Sequence, residues 1–519
     1  MQSVIGVFAV VLVLVGVCDW GRSLVVAAAA CGKYGLFQDA CFVHDESVTL
    51  DYSDGLLDQQ YAALVNRTDL EAWFEQEVQW AKERIQANII VQAGVSVVVA
   101  SPSKVAPDYY YQWVRDSAMT MLTFNDWRDE LGDTAMGVLE GYLRNVYLLQ
   151  RVDNLSGDFA DNGANLGEPK FLVDNSPFNE PWGRPQNDGP PLRLISSLKI
   201  LNDTEYGGAL QQAFDTICLP DLNFVLDHWQ DEHFDLWEEV RGQHFFTSMV
   251  QLYSIDKTIR FLQETELQTA DALKLQLQTV RNNLQQFVGA QFASIREGIV
   301  VETPSNLGDR PSGLDIAVVL ASLLVHPIDE STDGLPFDID ARELLETFHR
   351  LVQEMRDLYP INAGLHDLSG VALGRYPEDV YDGVGISEAN PWFLCTAVGA
   401  NLMYRLVTLY DDKKSDLVIP LNNSGIWQRF VALDTEIRVS HKEVVIPYHS
   451  QAFNKTLGNI FNFGDSFLSV IQSHVSDDGE MSEQFNKYTG YLTGASHLTW
   501  SYCEFLNAIK ARDAAKSIL

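Results

Sequence analysis

Apolar residues recur at three- and four-residue steps in about a dozen separate stretches of this chain, without strand-like stretches alternating between them. Thr68 and Glu71 have the spacing of a capping box. Behind them Leu70, Trp73, Phe74, Val78, Ala81, Ile85 and Ile89 mark one apolar helix face. The period returns at Leu131, Ala135, Met136, Leu139, Tyr142, Leu143, Val146 and Leu149. It recurs over about 208–228, 244–263, 269–290, 312–325, 341–358, 392–410, 448–475 and 497–515, with shorter pieces near 116–126 and 191–201. One short β-like run, 95–100, ends at Ser101-Pro102. Helices in such succession disfavour a parallel α/β sheet. The expectation is a single all-α domain.

Between the helices lie long loops rich in Gly, Pro, Asn and Asp, at 101–112, 153–190, 302–312, 361–391 and 476–496. Loops of that length in a compact protein tend to carry function. The chain has 519 residues, enough to bury a large core, and 46% of them are hydrophobic. Its net charge of −35 repels phosphate backbones, which argues against nucleic acid as a partner. Such a surface suits a soluble protein acting on an uncharged substrate, although charge serves solubility alone equally well.

The first thirty residues differ from the rest. An apolar run over 4–17, then Asp19, Arg22 and the small residues Ala27 to Ala30, resembles a secretory leader and is short for a membrane span. The segment before the run lacks Lys and Arg. The expected division is a leader over 1–30, an extension over 31–60 and a catalytic domain over 61–519. Secretion follows, with retention in a wall or vacuole left open, and no membrane association once the leader is removed. The six cysteines, Cys18, Cys31, Cys41, Cys218, Cys395 and Cys503, show no metal-ligand spacing. Cys31 and Cys41 are close enough in sequence to pair. With Cys18 lost, an odd number remains and at least one thiol is free. Asn66, Asn154, Asn202, Asn422 and Asn454 each open a glycosylation sequon.

The loops hold the chemistry. Asp235-Leu236-Trp237-Glu238-Glu239 sets two carboxylates among bulky aromatic residues. A carboxyl against aromatic faces loses water, which raises its pKa and suits it to general acid work. Taken alone, two adjacent glutamates are as readily a solvated helix turn. Tyr109, Tyr110, Tyr111 and Trp113 precede Arg115 and Asp116. Trp182 heads a turn-rich segment through Pro190. Arg375 and Tyr376 lead to Trp392, and Glu483 stands ahead of Tyr488 and Tyr491. Aromatic faces stack on sugar rings, while Arg, Asp, Gln and Asn bond to hydroxyls. Each segment alone reads as a packed loop; several together at helix edges point to a sugar cleft.

Seven strings carry a resemblance: Tyr-Gln-Trp-Val-Arg-Asp-Ser (111–117), Trp-Gly-Arg-Pro-Gln-Asn-Asp-Gly-Pro (182–190), Asp-Leu-Trp-Glu-Glu (235–239), Gly-Arg-Tyr-Pro-Glu-Asp-Val-Tyr (374–381), Asn-Pro-Trp-Phe-Leu-Cys (390–395), Ser-Glu-Gln-Phe (482–485) and Leu-Thr-Trp-Ser-Tyr (498–502). In this order they resemble the glucoamylases of glycoside hydrolase family 15, of the fungal and yeast type. The resemblance implies an (α/α)6 barrel and exo-hydrolysis of α-1,4 and, more slowly, α-1,6 bonds at non-reducing ends, releasing β-glucose with inversion. It implies an α-glucan partner such as soluble starch, maltodextrin or maltose, a monomer, and no metal or cofactor.

By the same resemblance Glu238 matches the general acid and Glu483 the general base. An inverting pair leaves room for a water, with carboxyls about 6.5–9.5 Å apart. Asp235 matches a residue also considered as base, and is read as a supporting carboxylate. Glu239 matches a contact beyond the cleaved bond. Arg115 and Asp116 match residues gripping the terminal glucose. Trp182 shapes the cleft near the acid, Arg375 is a further sugar contact, and Trp392, Trp113 and Tyr109 complete the binding set. Arg184 and Asp188 stand between a sugar contact and a loop-holding role. Val114 and Ala118 depart from the Thr and Gly of many members, and Arg241 from smaller residues. No Ser/Thr-rich linker or terminal β-sandwich follows the last helix, so a starch-binding module is not expected. A trehalase-like hydrolase, a disaccharide phosphorylase or a non-catalytic glucan-binding relative are the alternatives. Retention of Glu238 and Glu483 disfavours the last two.

Overall fold

The computed structural model describes residues 65–519, except 204–208, 266, 294, 297, 333, 422–424 and 432–435. The expected leader and extension therefore lie outside the described residues, as do Cys18, Cys31 and Cys41. Twelve helices of 9 residues or more occur among the described residues. They are α1 (Arg67–Ala87), α2 (Val114–Asp126), α3 (Asp133–Leu149), α4 (Gly189–Asn202), α5 (Leu219–His228) and α6 (Phe245–Glu264). The second half holds α7 (Asp271–Gln291), α8 (Ala317–Val325), α9 (Arg342–Leu358), α10 (Phe393–Asp412), α11 (Gln451–His474) and α12 (Thr499–Lys516).

The even-numbered helices touch in a closed cycle, α2–α4–α6–α8–α10–α12 and back to α2. Each odd-numbered helix packs outside that ring: α1 on α12, α3 on α2 and α4, α5 on α4 and α6, α7 on α6, α9 on α8, and α11 on α10. Six hairpins thus close into an (α/α)6 barrel. The sequence divides accordingly. Inner α8 is apolar all round, with every residue but Leu324 buried. Outer α7 buries only Leu277, Leu284 and Val288, one stripe at helical spacing. By length and apolarity α10 could cross a bilayer, but its place is in the inner ring, where most of it is buried.

Three boundaries differ from expectation. The capping residue of α1 is Asn66, which accepts from Asp69 N at 3.5 Å, rather than Thr68. That helix stops at Ala87, and Ile89–Gln92 turns into a hairpin with Val95–Val98. The stretch expected as one helix over 208–228 contains a π-turn, Phe214–Cys218, before α5. Pro220 has no N–H for a regular helix, and the carbonyls of Thr216 and Ile217 accept instead from Arg151 (2.9 Å) and Gln150 (2.7 Å). Cys218, Cys395 and Cys503 are free and buried. The Asn154 amide donates inward to Val152 O and Asn165 O, which opposes glycan attachment there.

The barrel has two distinct ends. Early residues of α2 and α12, with Trp392 at the start of α10, open on one cavity. Late residues of α2, α4, α6, α10 and α12 line another. Helix N-termini carry partial positive charge, so the first end favours carboxylates.

Candidate active site

The cavity at the N-terminal end of the ring has a volume of about 300 Å³. Tyr109, Trp113, Arg115, Asp116, Trp182, Glu238, Glu239, Arg375, Trp392 and Glu483 all line it. Ten of the eleven expected site residues therefore meet in one place, from segments far apart in the chain.

Asp235 is the exception. It is fully buried and does not line the cavity. A two-stranded ribbon, His233–Phe234 against Arg241–Gly242, pinches off the turn between them. Within it the Asp235 carboxylate accepts from Glu239 N (2.7 Å) and Val240 N (2.9 Å), and faces Arg310 Nη1 at 3.5 Å. This clamp keeps Glu238 in the left-handed region at φ 68°, which costs a non-glycine residue about 1–2 kcal/mol. Asp235 is thus tied into the backbone of the turn that carries Glu238 and does not itself reach the cavity.

Glu238 hangs among donors. Its Oε1 accepts from Trp113 Nε1 (2.6 Å) and Arg115 Nη2 (3.3 Å), and its Oε2 from Trp182 Nε1 (2.8 Å). The indoles meet the carboxyl through their N–H edges, not their faces, so the aromatic setting supplies hydrogen bonds as well as walls. Gly183 makes this approach possible: a Cβ there would lie 2.9 Å from the Phe234 ring and 3.0 Å from Glu238 O. Arg115 is held by Asp188 (2.9 Å) and Gln186 (3.1 Å). Burial pushes the neighbouring Asp116 up to about 6, against the pull of Arg115.

Glu483 is set differently. It is 1% exposed, whereas the Glu238 side chain keeps 16%. Burial pushes its carboxyl up to about 8; the hydroxyls of Tyr109 and Tyr381 and the charge of Arg375 oppose the shift. Tyr381 OH donates to Oε2 at 3.3 Å and lies 2.9 Å from Tyr109 OH. A short hairpin, Gln484–Phe485 with Leu492–Thr493, positions the residue, and Glu483 N donates to Ala495 O at 2.8 Å. Gly494, at φ 74°, is required here, because a Cβ would lie 2.4 Å from Glu483 Oε2.

Glu239 joins a third group. Arg375 Nη2 reaches its Oε1 at 2.7 Å, while Arg310 (2.5 Å) and Tyr376 OH meet its Oε2. Arg375 is also gripped by both Asp379 oxygens, at 2.6 and 2.7 Å.

The family profile of glycosyl hydrolases family 15 matches residues 81–510. A sporulation-specific intracellular glucoamylase of Saccharomyces cerevisiae is 38% identical, over 90% of this chain and 94% of that one. A glucoamylase of Saccharomycopsis fibuligera is also 38% identical, over 88% and 92%. The crystal structure of a glucoamylase from Saccharomycopsis fibuligera superposes with a TM-score of 0.81 at 36% identity, over 88% of this chain and 98% of that one.

The chain belongs to glycosyl hydrolase family 15.

Within this family 15 site several lining residues had no role assigned from the sequence. Tyr381 and Trp500 sit inside the resembling strings, yet only the fold brings Tyr381 to Glu483 and Trp500 to Arg115, whose guanidinium lies 5.8 Å from the ring. Trp237 donates to buried Asp315 at 3.0 Å. Arg184 binds both oxygens of Glu168 at 2.9–3.1 Å, so it holds its loop, and Asp188 holds Arg115.

Proposed function

We infer that this family 15 glycoside hydrolase is a glucan 1,4-α-glucosidase, a glucoamylase. It removes glucose from the non-reducing ends of starch, dextrins and maltose by inversion, with α-1,6 bonds cut more slowly. The observation that carries the reading is the pair of glutamates in one cavity, each with its own set of partners. Glu238 protonates the glycosidic oxygen as the bond breaks. Glu483 takes a proton from water, which attacks the anomeric carbon from the opposite face. Glu238 ends the step ionised and Glu483 protonated, and exchange with solvent resets both. Arg115 and Asp116 grip the terminal glucose by its hydroxyls, which favours exo-action. Glu239 and Arg375 bind sugar beyond the cleaved bond, and Trp182, Trp392, Trp113 and Tyr109 form the walls. Asp235 is a positioning residue for the turn that presents Glu238. None of these steps uses a metal or a cofactor.

One observation favours a second reading, with the two roles exchanged: burial raises the Glu483 carboxyl to about 8. In the complex, positive charge developing at the anomeric carbon favours the ionised form of a nearby carboxylate, so the first reading stands as the conclusion. Proton NMR of the first products from soluble starch tests the reaction. β-Glucose is expected; α-glucose first, or internal fragments, would contradict it.

We propose secretion from the apolar run at 4–17, and action as a monomer. The N-terminus of protein recovered from the medium, and its mass in solution, check these two points. Full-length protein retained inside the cell, or a dimer mass, would overturn them.

A further inference from the structure

Lys170 lies outside the cavity lining, yet it is 2% exposed and sits directly behind the Glu238 wall. It is the cross-strand partner of Trp113 in the short ribbon of Gln112–Trp113 with Lys170–Phe171. Its ammonium lies 3.3 Å from the ring centroid of Trp182, 4.0 Å from Phe178, 4.5 Å from Trp113 and 4.6 Å from Tyr111. The four rings pack edge to face around it, Trp113 on Trp182, Phe178 on Trp182 and Tyr111 on both Trp113 and Phe178. Its contacts are with ring faces, while the carboxylates of Glu238, Asp108 and Glu168 act on its charge from further off. A buried cation is expensive unless compensated, and here π electron density at contact distance adds to the pull of those carboxylates. Two of the four rings, Trp113 and Trp182, are the indoles that donate to Glu238.

We propose that Lys170 is a positioning residue for the acid: seated on the faces of Trp113 and Trp182, its ammonium fixes both indoles and strengthens the N–H groups that hold Glu238. A cation on an indole face draws electron density from the ring, and the N–H at its edge becomes the better donor. Trp182 has most need of an anchor, since it is 37% exposed and lies on an irregular segment. Burial lowers the Lys170 pKa to about 8, while the charges of Glu238, Asp108 and Glu168 oppose that shift and Arg184 adds to it.

The inference rests on Glu238 as the acid, and the test separates the two. Lys170→Met keeps the stem and removes the charge, while Lys170→Arg keeps a charge. Each is assayed on maltose, whose leaving group needs a proton, and on α-D-glucosyl fluoride, whose leaving group does not. For Lys170→Met a loss of about tenfold or more in kcat is expected on maltose, with under about threefold on the fluoride, because only acid assistance is impaired. Lys170→Arg should recover part of the loss. Equal loss on both substrates, or no loss on maltose, would overturn the proposal. Glu238→Gln runs in parallel. If it loses both substrates equally, the acid assignment fails; if it spares the fluoride and Lys170→Met does not, only the Lys170 proposal fails. Lys170→Gln carries the same comparison should the Met variant not fold.

Discussion

Around Glu238 the cavity wall is a set of donors, two indoles and a guanidinium backed by a caged lysine. Around Glu483 it is a plug of buried side chains relieved by two tyrosine hydroxyls. Both residues are glutamates on loops at the same end of the barrel, so the difference lies in what the fold packs behind each. On the Glu238 side the partners are fixed by a clamped turn, a cross-strand pair and a glycine that lets Trp182 approach. On the Glu483 side a hairpin and Gly494 press the carboxyl into the protein. One wall is built to grip a carboxylate through the proton cycle. The other holds a carboxyl at some cost in stability, the kind of strain that active sites keep.

The largest effect that can break this contrast is on turnover. Glu238→Gln and Glu483→Gln should each lower kcat on maltose by about a thousandfold while both remain folded, as circular dichroism would verify. Near-normal turnover in either removes that residue from its role.

Stability separates the walls next. A carboxyl raised from 4.5 to about 8 binds its proton more tightly in the folded state. Its favourable contribution is therefore full below about pH 4.5 and is lost as pH rises towards 8. Glu483→Gln removes that loss, so the variant should be more stable than the parent by about 3 kcal/mol at pH 7 and little changed at pH 4. Denaturant midpoints at the two pH values would show it. A variant that is no more stable at pH 7 would mean that the burial is relieved.

Trp182→Phe keeps an aromatic wall and deletes one donor to Glu238. About a tenfold fall in kcat on maltose is expected, with the fluoride substrate spared, since hydrogen bonds to charged groups are worth about 1.5–3 kcal/mol. The smallest effect comes from the other wall. Tyr381→Phe deletes a hydroxyl that favours ionised Glu483, so the acidic limb of kcat/KM should move to higher pH by less than about one unit. A shift to lower pH would mean that the hydroxyl does not serve a base.

Much of the barrel was readable in the chain, because an inner helix such as α8 must be apolar all round and an outer one such as α7 needs only a stripe. What periodicity missed were local exceptions: the proline-driven π-turn before α5, and the hairpin that takes over from α1. At the site, the residue types and their loops were legible, but their juxtapositions were not. Tyr109 and Tyr381 are 272 residues apart and meet only through the ring. Asp235 looks like its neighbours in sequence, and only the ribbon around it turns its carboxylate inward. Lys170 carries no signal of its own, since a lysine in a loop is ordinarily solvated and its cage comes from two segments, 111–113 and 178–182, that only the fold brings together.

The division of labour between the two walls is tested most directly by turnover of α-D-glucosyl fluoride in the paired Gln variants. Because fluoride leaves without a proton, Glu238→Gln should hydrolyse it at a rate near that of the parent, while Glu483→Gln should be as impaired on it as on maltose. The reverse pattern, with Glu483→Gln active on the fluoride and Glu238→Gln not, would contradict the assignment and exchange the roles of acid and base.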